Sequence, residues 1–313
     1  AGPGGAGWRG TGGSGVPRLP VKASKVFSAV RAWRDESEGP VRLLVSGSDR
    51  TAVSAAYEAL TDGAASTQNV CLIDIDAGAE GEPLPPLTHL SEGDVVVLVL
   101  PPSAMDTEAF NSRLAEIGRA GASAVIVLTE APGIQVSFPG IGPSRVIGMA
   151  PGGVIPVEVL AEAVVEAAGD SAPALAARLP ILREETCRQI IRRTSRQNAV
   201  VGCLFIIPGA DMPVMTMNEA RMVLRIAAAH GEPVGMERAL ELLGIIGSGF
   251  GLRAVARQML DFMPGPGWVA KGGVAWMGTR ALGEAAKAYF DGSARLTPSR
   301  LSPLVDKLKK LRG

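Results

Sequence analysis

Between residues 41 and 168 the apolar positions fall into short continuous runs, separated by segments in which they recur at helical intervals. The runs are 41–45, 70–73, 95–100, 124–128 and 145–148, and none alternates apolar with polar. A strand that is apolar at every position is one covered on both faces, as in a parallel sheet. Between the last runs, residues 108–119 place Phe110, Leu114 and Ile117 on one side, and the Ala/Val/Glu-rich stretch 157–168 reads as a closing helix. Strands alternating with helices predict a doubly wound, mostly parallel α/β sheet.

The pattern changes after Gly169-Asp170-Ser171-Ala172-Pro173, a small-residue segment that reads as an exposed linker. Beyond it no strand pattern remains, and helical periodicity over about 181–197, 213–230, 235–262 and 267–290 predicts an all-α second part. Residues 1–40 read as a flexible Gly-rich lead with a short amphipathic helix over 22–33, carrying Val26, Val30 and Trp33, and with no secretory signal. The expected division is lead 1–40, α/β domain 41–168, helical domain 174–290 and basic tail 291–313, the tail holding a short helix over 302–312.

Composition adds a charge asymmetry. The 31 basic and 31 acidic residues cancel overall, but residues 1–177 hold 11 basic and 20 acidic ones, leaving 20 and 11 for residues 178–313. The halves therefore carry −9 and +9. Either the two parts attract each other, or the basic part faces an acidic surface such as anionic lipid. Five arginines lie between Arg183 and Arg196, and Lys307, Lys309, Lys310 and Arg312 end the chain. Aromatic residues make up 4 % of the chain, which leaves little for base stacking and argues against nucleic acid as partner. Cys71, Cys187 and Cys203 are scattered and odd in number, so they suggest neither a disulfide framework nor a metal site, and a reducing compartment is expected. With His89 and His230 the only histidines, no metal site and no catalytic triad is expected.

In open α/β sheets ligands bind beyond the carboxyl ends of the strands, so each strand exit is a candidate site. The first, Gly47-Ser48-Asp49-Arg50-Thr51-Ala52-Val53-Ser54, stands where a phosphate-binding loop G-x-x-x-x-G-K-[ST] would stand. Gly47 and Ser54 match its ends. Ala52 stands in place of the second glycine and Val53 in place of the lysine that meets the β- and γ-phosphates. The second exit, Asp74-Ile75-Asp76-Ala77-Gly78, lacks an Asp-x-x-Gly switch, and the exit after 124–128, Thr129-Glu130-Ala131-Pro132, lacks the Asn-Lys-x-Asp that reads guanine. These residues describe a degenerate phosphate loop (Gly47, Ala52, Val53, Ser54) and a degenerate base-reading loop (Thr129, Glu130, Pro132), with no catalytic residue and no cofactor expected. A flavodoxin-like or Rossmann sheet unrelated to GTPases reads equally from the strand pattern.

The helical part carries Asn198-Ala199-Val200-Val201-Gly202, Ile207-Pro208-Gly209-Ala210-Asp211-Met212-Pro213 and Asn218-Glu219-Ala220-Arg221-Met222-Val223-Leu224-Arg225-Ile226-Ala227. It continues with Gly247-Ser248-Gly249-Phe250-Gly251-Leu252-Arg253-Ala254-Val255-Ala256-Arg257-Gln258 and Gly278-Thr279-Arg280-Ala281-Leu282-Gly283-Glu284-Ala285-Ala286. In this order the segments resemble the bacterial domain-of-unknown-function family numbered 697, over about residues 179–290. The resemblance implies fusion to an Era-like GTPase domain and frequent membrane association, and it implies no activity for the helical part.

The expectation is thus a non-catalytic GTPase-like scaffold or adaptor at the cytoplasmic face of the membrane. Its helical part would associate with anionic lipid, with a protein partner or with copies of itself. No apolar run reaches the length of about 20 residues that a spanning helix needs, so the helices are expected to insert shallowly or to touch lipid. Two alternatives stand beside this reading. One is an atypical NTPase binding GTP with Mg through backbone amides at a helix start; the other is a soluble helical oligomer.

Overall fold

A computed structural model describes residues 41–64, 75–77, 90–149 except 106 and 135, 155–204, 212–232 and 267–292. The expected helices over 22–33, 235–262 and 302–312 lie outside these residues, as does the run 70–73.

Five parallel strands form the sheet: β1 (Leu43–Gly47), β2 (Ile75–Ala77), β3 (Val95–Leu100), β4 (Ser123–Leu128) and β5 (Val146–Gly148), in the order β2-β1-β3-β4-β5. That order reverses between β1 and β3, as in doubly wound folds of the flavodoxin-like type. Helices α1 (Arg50–Thr61), α2 (Glu108–Arg119) and α3 (Val157–Ala168) cover it. Along β3 the side chains divide strictly by pleat. Val95, Val97 and Val99 join the core under α1 and α3, while Val96, Leu98 and Leu100 join the core under α2 with Phe110 and Ile117. Burial on both faces is why the runs are apolar throughout.

β1 lies later in the chain than its apolar run. It extends through Ser46 and Gly47 because their backbones pair with both β2 and β3, whatever their side chains. Ile75-Asp76-Ala77, read from sequence as part of a strand exit, is itself strand paired with Val45, Ser46 and Gly47.

The linker expected over 169–173 is corrected. Gly169–Ser171 form a 3-10 turn, and α4 (Ala172–Arg178) begins at once with Pro173 in its first turn, where a missing N–H is harmless. Ala172, Pro173, Ala174, Leu175 and Ala176 are buried. The small residues serve close packing of α4 against its neighbours rather than chain flexibility. Among the described residues three long helices follow: α5 (Arg183–Leu204), α6 (Met212–Ala229) and α7 (Gly267–Phe290). Leu182, Ile191, Met222, Ile226 and Leu282 belong to the same buried cluster as Val97, Val127 and Leu160, so one core runs from the sheet into the helices.

Helices α5 and α7 are antiparallel and approach through glycine. A β-carbon on Gly283 would lie 2.6 Å from Ile191, and one on Gly272 would overlap the Cys203 sulfur. At Gly272 and Gly283 glycine is therefore a packing requirement, whereas Gly273 has open space around it.

Candidate functional site

The carboxyl edge of the sheet is where sequence placed the site. There the β1–α1 connection is only Ser48 and Asp49, and the helix starts at Arg50. A phosphate-binding loop must wrap several residues around the anion before its helix begins; this one turns directly. Ala52 and Val53 lie within the first turn of α1 and are buried in the core, and Ser54 is half-buried on the same helix. The Ser48 amide donates to the Val99 carbonyl at 3.2 Å, which ties the turn to β3.

The Asp49 carboxylate is the N-cap of α1 and accepts from the amides of Thr51 (2.9 Å) and Ala52 (3.1 Å). These are donors that a phosphate would use at a helix start. Asp49 thus supplies the helix with its own anion, and a phosphate approaching the same amides would meet a negative charge.

At the β4 exit, Thr129 is half-buried, Glu130 and Pro132 are exposed, and Ala131 is buried. Glu130 has φ 57°, an uncommon conformation for a residue with a side chain. The Thr129 amide donates to the Leu100 carbonyl (3.0 Å) and the Ala131 amide to the Met149 carbonyl (2.6 Å). The loop is held by β3 and by the chain after β5, which forces the tight reversal at Glu130. The two predicted loops thus lie on the same edge, at the ends of β1 and β4, with β3 between them.

Sequence reading missed a second location. A groove of about 780 Å³ lies beside α3, α5 and α6. Its lining includes Arg192, Arg193, Arg196, Arg221 and Arg225, together with Glu162, Glu166, Asp170 and Glu185. Arg193 (2.9 Å) and Arg225 (2.8 Å) converge on the Asp170 carboxylate from α5 and α6. The hydrogen bond from Arg225 holds the Asp170 carboxyl below its usual range, while burial pushes the Glu185 carboxyl up. The five arginines at 183–196 were legible as charge. That three of them share a groove wall with two arginines of α6 was not, because it depends on how α5 and α6 pack.

Three of the resemblance segments meet through Asn198, Asn218 with Glu219, and Thr279. Asn198 donates to the Thr279 hydroxyl (2.9 Å), which donates to Glu219 (2.8 Å), and Asn218 donates to the Asn198 carbonyl oxygen (2.9 Å). Asn198, Thr279 and Glu219 are buried. One chain of hydrogen bonds therefore links α5, α6 and α7 and fixes their register. Thr279→Val keeps the shape but removes the hydroxyl that serves both neighbours. We expect a loss of about 1–3 kcal/mol in denaturant unfolding, with the slope of the transition unchanged.

The Cys187 thiol is buried, which pushes it up to about 12 and leaves it unreactive at neutral pH. Among the described residues no group of His, Cys, Asp and Glu could hold a metal ion, and no helix is long and apolar enough to cross a membrane. At the end of the bundle away from the sheet, Val200, Val214, Trp276 and Met277 are exposed.

These features define a doubly wound parallel sheet continued by a helical bundle. Compared with protein-family models, curated proteins and solved structures, the chain matches none.

Proposed function

We propose that this protein is a non-catalytic, GTPase-like scaffold. Its α/β part does not use nucleotide, and its helical part associates with a protein partner or with the anionic cytoplasmic face of a membrane. The observation that carries the reading is the β1–α1 turn: two residues long, and capped by the Asp49 carboxylate on the Thr51 and Ala52 amides. Val53, in the place of the phosphate lysine, lies in the core and offers no charge. The +9 balance of residues 178–313 and the exposed Val200, Trp276 and Met277 support an associating role for the helices. The ordered resemblance to the family numbered 697 points the same way.

Titration calorimetry with GTP and magnesium tests this on the full chain. Each missing charge-assisted phosphate contact weakens binding by about tenfold or more, so no binding in the micromolar range is expected. Because the arginine groove could itself take a phosphate, the titration is repeated on an Arg196→Ala, Arg221→Ala double variant. Micromolar GTP binding that survives in that variant would place nucleotide at the sheet edge and overturn the reading.

A further inference from the structure

The groove beside α3, α5 and α6 is unevenly charged along its length. Helices α5 and α6 run antiparallel, and the residue pairs that meet define its rungs. Arg193 and Arg225 meet at Asp170, and Asn198 and Asn218 meet directly at 2.9 Å. On α6, Arg221 stands between these rungs, one helical turn from each; on α5, Arg196 and Gln197 lie one turn beyond Arg193 and just before Asn198. At the Asp170 rung two arginines are engaged by one carboxylate. Arg196 and Arg221 line the groove and are exposed, and among the described residues they make no hydrogen bond or ion pair.

The acidic groups lie toward the other end. Glu185 feels the charge of Glu162, and Glu185 stands eleven residues before Arg196, about 16 Å along α5. Glu166 is engaged by the Ser144 hydroxyl at 2.9 Å, and Glu185 by Arg188. Two further donors in the wall lack partners. The Thr186 hydroxyl belongs to a residue with 0 % exposure, and the Arg225 Nε is buried; both residues line the groove. Buried donors without partners are uncommon in folded proteins.

We propose that this groove binds a phosphomonoester, with the phosphate held by Arg196 and Arg221. Arg196 and Arg221, with Arg192 one turn before Arg196 also lacking a hydrogen bond or ion pair among the described residues, call for a multiply charged anion; a phosphomonoester carries close to two negative charges at neutral pH and a single carboxylate does not. The volume suits a small organic molecule rather than a bare ion. Glu162 at the far end sets the direction, because it repels phosphate there. The phosphate belongs either to a free small molecule or to a lipid headgroup. The inference does not depend on whether the sheet edge takes nucleotide.

The test uses the full chain and one headgroup in two forms: free glycerol 3-phosphate in calorimetry, and phosphatidic acid in phosphatidylcholine vesicles in a flotation assay. Binding of glycerol 3-phosphate is expected at low salt and should weaken as salt rises, since exposed arginines are screened. Arg196→Ala and Arg221→Ala should each weaken it about tenfold or more, and the double variant should abolish it. Arg119→Ala, on α2 across the sheet, should leave it unchanged. Thermal unfolding of these variants should match the parent, because among the described residues the removed side chains have no hydrogen bond or ion pair to lose. Vesicle binding that depends on phosphatidic acid and on both arginines identifies a lipid headgroup. Binding of the free phosphate without vesicle capture identifies a soluble ligand. No binding of either probe up to about 10 mM phosphate, or binding indifferent to both arginine substitutions, overturns the proposal.

Discussion

Replacing Asp94 with alanine should cost about 3–5 kcal/mol of stability, the range for removing one partner of a buried ion pair. Asp94 has no exposed surface and stands just before β3. Its carboxylate accepts from the Arg42 side chain at 3.1 and 2.6 Å, from the Arg42 amide at 3.1 Å and from the Ser91 amide at 2.8 Å. Truncation would strand the Arg42 guanidinium, which is mostly buried, and leave two backbone donors without their acceptor. Asp94→Asn keeps an oxygen in place and loses the charge, so about half the penalty is expected. Urea unfolding of the parent and both variants checks the order. Equal stability of Asp94→Ala and the parent would show that the amino edge of the sheet is not held in this way.

The second large effect is expected at Gly47. This residue matches the first glycine of a phosphate loop, but its surroundings give it another reason to be glycine. A β-carbon there would overlap the Val99 carbonyl oxygen and stand 2.7 Å from a Val53 methyl. Neither can retreat cheaply: the first is sheet backbone and the second is in the core. Gly47→Ala should therefore lower stability by about 3 kcal/mol or more, at the upper end of overpacking. Gly118→Ala is the control. It lies in α2 with nothing within 4 Å of the added carbon, and it should raise stability by about 0.5–1 kcal/mol. Denaturation midpoints of the two variants should move in opposite directions. If Gly47→Ala proves harmless, β1 and β3 are less closely apposed at the carboxyl edge than described.

Gly47 also shows how far a motif can be read. A glycine after a strand and before a helix fits a phosphate cradle and a close strand crossing equally well. Which applies depends on the length of the turn and on what faces the glycine. Val53 reads in sequence as a lysine that is missing; in the fold it is a core residue of α1 under the sheet.

The local patterns determined much by themselves. β3 and the helices Glu108–Arg119, Val157–Ala168 and Gly267–Phe290 are where apolar spacing puts them, because each buries a stripe or both faces in a way that periodicity records. The class, a parallel sheet followed by helices, follows from the same spacing. Tertiary structure alone decided the rest. β1 continues through Ser46 and Gly47, past its apolar run, and Ile75–Ala77 pair as strand although one of the three is Asp76, because backbone pairing is not reported by side chains. Residues 169–173 carry the small, polar and proline signals of a linker, yet they are a turn and a helix start in the seam of one core. The arginine groove exists only because α5 and α6 run antiparallel and bring Arg193, Arg196, Arg221 and Arg225 to one wall. Sequence separation hides such convergence, since charge is legible residue by residue while the field of a groove depends on which partners packing brings within reach.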